Sequence, residues 1–159
     1  MKAREIVDKI LRIFVVVVMS ILVLDVVWNV ASRYLLNNPS SFSVELARYL
    51  LIWVGLFGAA YATGQKEHLA IDLFPQKLQR RDPAKKRRLD IVINGIVALF
   101  ALIVMVIGGI RLVYISFELG QVSSTMQLPL GYVYLSLPIS GLLIMFYTIH
   151  EMIYGIPEH

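Results

Sequence analysis

The chain has 159 residues, 58% of them hydrophobic and only 16% charged, with no cysteine and a formal charge of +4. So much apolar surface could not be hidden in one soluble core, and the absence of cysteine excludes disulfides, thiolate metal sites and covalent c-type haem. The basic residues flank apolar stretches with no DNA-binding or RNA-binding motif around them, which excludes nucleic acid as the partner.

A hydrocarbon core ~30 Å thick takes ~20 residues of apolar helix to cross. Stretches near 13–35, 44–64, 90–117 and 128–153 meet that length. The expectation is an all-α integral membrane protein, a single membrane domain over residues 1–159, with a basic loop at 65–89 and no soluble catalytic unit.

Residues 3–14 set apolar Ala3, Ile6, Val7, Ile10, Leu11 and Phe14 at helical spacing among Lys2, Arg4, Glu5, Asp8, Lys9 and Arg12. Such a lead-in either lies on the membrane surface or is the wet end of the first span. Span one stays apolar until Ser20 and then carries Asp25, Asn29, Ser32 and Arg33. At ~100° per residue these four share an arc of about 100°, a polar face that should meet protein rather than lipid.

Asn37-Asn38-Pro39-Ser40-Ser41 reads as a turn, and Ser43 as the N-cap of span two, which opens with Glu45 and Arg48 one turn apart. Past Trp53 the span becomes rich in small residues. Gly55 with Ala59, Gly58 with Ala62, and Ala60 with Gly64 stand four apart, a spacing that lets helices approach closely in lipid.

In the central loop Ile71, Phe74 and Leu78 share one helical face, which predicts a short amphipathic helix lying on the membrane surface. Asp82-Pro83 reads as an N-cap followed by an N1 proline, so Lys85, Lys86, Arg87 and Arg88 ride on the start of span three. Attraction to anionic lipid, at ~1 kcal/mol per basic residue, suits that cluster as a topology anchor. Span three holds Asn94, Gly95, Ala98, Ala101 and Gly108-Gly109, and ends with Arg111 and Glu118. Ser123-Ser124-Thr125 offers caps for span four, Pro129 falls in its first turn, and Pro138 lies mid-span among Ser136, Ser140 and Gly141. A kink packed against a neighbour is expected there. Spans one and two do not resemble three and four, which argues against a self-sufficient inverted-repeat carrier.

A transport or catalytic site in a membrane needs convergent polar groups near the midplane. Asp25 lies thirteen residues beyond Arg12, or ~20 Å along a helix, past the centre of the core. It could serve as a proton or cation site; the economical reading is an acid neutralised by Asn29 or by an arginine of another helix. His68 and His150 read as interfacial polar residues rather than a haem pair. There is no phosphate loop, nucleophile elbow or acid pair, so an enzyme is not expected. Asp25, Glu45 and Glu118 balance Arg33, Arg48 and Arg111, and a ring of ion pairs, some crossing a subunit boundary, would let these charges persist at depth.

Span two and its exit read Glu45, Arg48, Tyr49, Trp53, Gly58-Ala59-Ala60, Gly64, His68 and Asp72. This resembles the small membrane (Q, DctQ-like) subunit of tripartite ATP-independent periplasmic (TRAP) transporters. Leu128-Pro129, Tyr132, Tyr134, Leu137-Pro138 and Gly141 look like the family's proline-containing fourth helix; span three matches only in character, and Gln65 and Glu67 depart from the pattern. The resemblance implies import of organic acids, such as C4-dicarboxylates or sialic acid, on an ion gradient, usually sodium. It implies two partners, a periplasmic binding protein and a large multi-span (M) permease that holds the substrate and sodium sites and moves as an elevator. The small subunit would brace that permease as a scaffold, with no cofactor of its own. On that reading Asp25, Asn29, Arg33, Glu45, Arg48, Trp53, Gly55, Gly58, Ala59 and Ala62 are candidates for helix or subunit contacts. His68 and Asp72 are interfacial structural residues, and Lys85, Lys86, Arg87 and Arg88 face lipid.

Two other readings stand beside it. A small proton-coupled four-helix multidrug-type carrier also has an acid in its first span, though with shorter loops and an acid nearer the midplane. A haem-bearing membrane anchor would declare itself in an absorbance spectrum.

Twelve of the fifteen Lys and Arg precede span one or fill the loop between spans two and three. The positive-inside rule therefore puts both termini and that loop in the cytoplasm of a bacterial inner membrane. Cysteines placed at Ser40 and Ser124 should react with an impermeant thiol reagent outside intact cells, and cysteines at Gln79 and His159 should not. External labelling at Gln79 would reverse the orientation.

Overall fold

A computed structural model describes residues 2–35, 40–65 and 83–154. They form α1 (Lys2–Leu35), α2 (Ser41–Gln65), α3 (Pro83–Phe100), a π-helical segment (Ala101–Gly108), α4 (Gly109–Glu118), α5 (Leu130–Tyr134) and α6 (Ser136–Tyr154). The π segment joins α3 to α4 without a break, and α5 passes into α6 through Leu135, so the seven pieces make four rods. Four helices are long and apolar enough to cross a membrane: Arg4–Leu35, Ser41–Gln65, Ile91–Glu118 and Leu130–Met152. The fold is all-α.

The rods stand in a row. α1 packs on α2, α2 on α6, and α6 on α3 and the π segment, while α1 touches neither α3 nor α4 among the described residues. A row leaves each helix two uncovered sides, and so Leu24, Val27, Trp28, Leu51, Ile96 and Ile103 are all more than half exposed. What core exists runs along the seam, from Leu11 through Phe57 and Ala60 to Ile144 and Tyr147, then Ala101 and Met105. In α1 the seam is a single stripe, with Leu11, Val18, Leu22 and Ser32 buried at helical spacing. Phe14 packs against the stacked rings of Trp53 and Phe57, whose planes lie 4° apart with centroids at 5.3 Å. Aromatic groups of this kind contribute ~0.5–1.5 kcal/mol per pair beyond their buried area.

Residues 3–14 belong to α1 without interruption, and Leu11 is in the seam. The lead-in is therefore the wet end of the first span. The cap of α2 is also displaced from the expected place. Ser40 Oγ accepts the Ser43 amide at 3.4 Å and thus caps the helix, while Ser43 is itself buried inside it. Pro129 stands at the N-cap of α5 with extended backbone (ψ 122°), one residue ahead of the first turn.

Span four is interrupted at Leu135, because Pro138 has no N–H to offer the turn before it. The interruption meets a close neighbour. A Cβ on Gly109 would lie 2.9 Å from Pro138 Cδ, and one on Gly141 would lie 2.7 Å from Met105 Cβ. These two glycines let span four lie directly on the π segment, where Ala101 is fully buried. Neighbouring hydroxyls stay satisfied by bonding back to their own helices: Ser136 to the Val133 carbonyl at 2.7 Å and Ser140 to that of Leu137 at 2.9 Å. The π segment carries no sequence signature, since all eight of its residues, ALIVMVIG, are apolar or small.

Candidate functional site

The polar chemistry of the described residues collects at the two ends of α2. At one end, the loop between α4 and α5 folds onto the start of α2. Gly120, with φ +57°, closes α4 in a Schellman motif: its amide reaches the Phe117 carbonyl at 3.1 Å, and the Gln121 amide reaches that of Ser116 at 3.0 Å. Val122 and Pro129 then pair in an antiparallel bridge, flanked by Ser123 N–H to Leu128 C=O and Leu130 N–H to Gln121 C=O, both 2.9 Å. The tip turns back through Gln127, held at φ 54°, a conformation rare outside glycine.

That tip is wrapped around a carboxylate. Glu45 Oε1 accepts the Ser124 amide at 3.1 Å, and Oε2 accepts the amides of Thr125 at 3.1 Å and Met126 at 3.0 Å. The Ser123 hydroxyl donates to Oε2 as well, while its oxygen takes the Met126 amide at 3.2 Å. Three successive N–H groups and a hydroxyl thus share one charge, in the manner of an anion nest.

Within this chain the expected ion pairs do not form. Among the described residues none of Asp25, Glu45 and Glu118 pairs with Arg33, Arg48 or Arg111. Loop amides replace arginine as the counterpart of Glu45, which is also why Ser123-Ser124-Thr125 do not cap span four. Asn29 does not neutralise Asp25 either: its amide donates to the Ser40 carbonyl at 3.3 Å. Asp25 stands on the α1 face turned to α2, and its Oδ2 is buried with no hydrogen-bond partner among the described residues. Of the polar face expected on α1, Asn29 and Ser32 face the seam, whereas Arg33 is exposed.

At the far end, α1, α2 and α6 are tied together. Arg4 Nη2 donates to the Gly64 carbonyl at 2.6 Å, covering an otherwise orphan acceptor at the C-terminus of α2. Its Nε lies 3.9 Å from Asp8 Oδ2, and the Tyr147 hydroxyl donates to Asp8 Oδ1 at 2.5 Å. Tyr147 is only 3% exposed, and a Cβ on Gly64 would sit 2.8 Å from its ring. Sequence reading took Arg4 and Asp8 as flanking charges. The available signal was their one-turn spacing opposite a tyrosine in an apolar helix.

The other expected residues divide clearly. Trp53 packs inside the α1–α2 seam, and Ala60 and Gly64 are buried. Gly55 and Ala59 are exposed, Gly58 and Ala62 half-buried, and Arg48 is exposed. His150 lies beside the Phe146 ring, with centroids 6.2 Å apart. His68, Asp72 and the expected surface helix lie outside the described residues, as do the side chains of Lys85, Lys86, Arg87 and Arg88, whose backbone belongs to α3.

Four rods long and apolar enough to cross a membrane, with described polar groups that clasp helix ends, define a multi-pass membrane protein. Residues 22–158 match the family described as "Tripartite ATP-independent periplasmic transporters, DctQ component", and the chain belongs to that family. It is 29% identical over 154 residues to the sialic acid TRAP transporter small permease protein SiaQ of Vibrio cholerae serotype O1, covering 94% of this chain and 83% of the relative. A TRAP transporter small permease protein of Haemophilus influenzae is 25% identical, with 96% and 89% covered. The C4-dicarboxylate TRAP transporter small permease protein DctQ of Rhodobacter capsulatus is 33% identical over 103 residues, 64% of this chain and 43% of the relative. The chain is thus a small permease subunit of a TRAP transporter, a component of a transport system and not an enzyme.

Two outcomes are expected of the clasps. Glu45→Ala should lower the thermal midpoint of the protein in detergent and speed hydrogen exchange at the amides of 124–126, with Glu45→Gln between it and wild type. Unchanged exchange at those amides would mean the loop holds itself without the carboxylate. At the other end, Tyr147→Phe removes one donor and leaves Asp8 half-served, a loss of ~1–2 kcal/mol. Gly64→Val should be worse, because it drives a side chain into the Tyr147 ring; chemical denaturation of both variants checks the order.

Proposed function

We propose that this subunit is a scaffold that braces the large permease of an ion-driven, sodium-coupled importer of organic acids. It sits in the bacterial inner membrane with both termini and the basic loop in the cytoplasm. A periplasmic binding protein delivers the substrate, and the partner permease holds both substrate and sodium. Lys85, Lys86, Arg87 and Arg88 then meet the anionic inner leaflet and anchor the topology. The observation that carries this reading is where the polar groups go. Glu45, Arg4, Asp8 and Tyr147 are engaged in holding this chain's own loop and helices, while its broad faces remain apolar and open. A row of helices stitched at both ends is suited to stiffen a larger neighbour. The relatives' names, which specify sialic acid in one case and C4-dicarboxylate in another, support an organic acid as the substrate class.

The reading is tested in liposomes. This chain alone should move no organic acid under a sodium gradient, and uptake should need the permease and the binding protein together with it. Substrate-specific uptake by this chain alone, or full uptake without it, would remove the scaffold role.

A further inference from the structure

Contacts along the seams fix how far each rod slides past the next. α1 and α2 run antiparallel, with Arg4 at Gly64, Phe14 at Trp53 and Phe57, and Asn29 at Ser40. Gly64 meets Tyr147 of α6, and Gly141 of α6 meets Met105 of the π segment. One buried cluster accordingly joins Leu11, Phe57, Ile144 and Met105, so these four stand near one height along the rods.

That register conflicts with the apolar pattern if the rods stand normal to the membrane. Leu11 adjoins Arg12, where the apolar run of α1 only begins. Met105 is in the middle of span three, fourteen residues past Ile91 and thirteen before Glu118. Since α1 crosses and α2 returns, α3 enters the hydrocarbon from the same side as α1. With Leu11 level with Met105, Ile13 is level with residue 107, sixteen residues beyond the entry at Ile91, or ~24 Å along a helix. The far ends repeat the step, because Arg33 overshoots Arg111 by the same sixteen residues. Span length is an independent sign. The four spans hold 32, 25, 28 and 23 residues, where ~20 suffice for a helix normal to the membrane.

We propose that the row stands slanted in the bilayer, its rods leaning along the line of the row, so that lipid hydrocarbon covers a diagonal band. The band takes in 13–33 of α1 and 91–111 of span three. A ~24 Å step over three helix spacings of ~8–10 Å corresponds to a mean inclination of roughly 40°. That is the steep end of the range for membrane helices, about 0–40°. At this angle a ~30 Å core takes ~26 residues of helix, which matches the long spans. The last turn of α1 then projects from one edge of the row, where Tyr34 and Leu35 are 78% and 81% exposed, and the first turns of α3 project from the opposite side. The inference goes beyond the scaffold role and depends only on the rods crossing the membrane.

The test uses the full chain in vesicles of phosphatidylethanolamine and phosphatidylglycerol, with one nitroxide label per variant. No native cysteine competes for the label, and Leu24 and Ile103 are exposed, so Leu24→Cys and Ile103→Cys disturb no packing. Collision with oxygen against a nickel chelate reads the depth of each label. In the slanted row both lie within ~5 Å of the midplane. In rods normal to the membrane they are fifteen residues apart in height, or ~22 Å, so both cannot be central. Polarised infrared absorption of oriented bilayers should give a mean helix tilt of roughly 40°, against about 20° for ordinary membrane helices. A shallow or aqueous label at either position, or a tilt of about 20° or less, overturns the slant and leaves the scaffold reading standing. If neither label meets more oxygen than nickel chelate, the rods do not cross the bilayer, and both readings fall.

Discussion

In hydrocarbon a backbone amide or carbonyl without a partner costs several kcal/mol, and the places where helices end are where that cost arises. Most of the polar detail in this structure answers it at α2. The nest of amides around Glu45 serves a loop turn that has no helix to bond within, and the Arg4 guanidinium covers the last turn of α2 at Gly64. Both ends of the second rod are thereby fixed to other parts of the chain, to the α4–α5 loop at one and to α1 and α6 at the other. The row depends on this, since each rod meets its neighbours along a narrow seam and has no enclosing core to hold it upright.

The coarse architecture was legible because length and hydropathy are nearly sufficient in lipid. Four apolar stretches became four rods, and Pro83 starts α3 as an N1 proline does. Pro138 punctuates span four for the reason proline usually does. What could not be read was pairing. Opposite charges at similar depth suggested arginine partners for Glu45, yet three consecutive amides in a turn supply the same field and leave no trace in side-chain identity. The Arg4, Asp8 and Tyr147 cluster joins Asp8 to Tyr147 across 139 positions, and nothing local records such a meeting. The π segment was invisible for a different reason: in an unbroken apolar run, a change of helical period alters no pattern.

The small residues were read as one class and turn out to be two. Ala60 and Gly64 are buried in the seam, Gly64 against the Tyr147 ring of α6, whereas Gly55 and Ala59 are exposed. Spacing alone cannot separate the classes, because a helix with contacts on opposite sides carries both at similar intervals. Only the position of the neighbouring rods assigns them.

The π segment has a further consequence for the length of span three. Deleting one residue from a helix turns everything beyond it by about 100° and draws it in by about 1.5 Å. The π segment, Ala101–Gly108, lies between the seam contact at Ala101 and the loop that closes on Glu45. The number of residues in it therefore sets the angle at which α4 delivers that loop. Span three acts as a calibrated spacer: away from the packed Ala101, Met105 and Gly109 its composition can drift among apolar residues, while its residue count cannot.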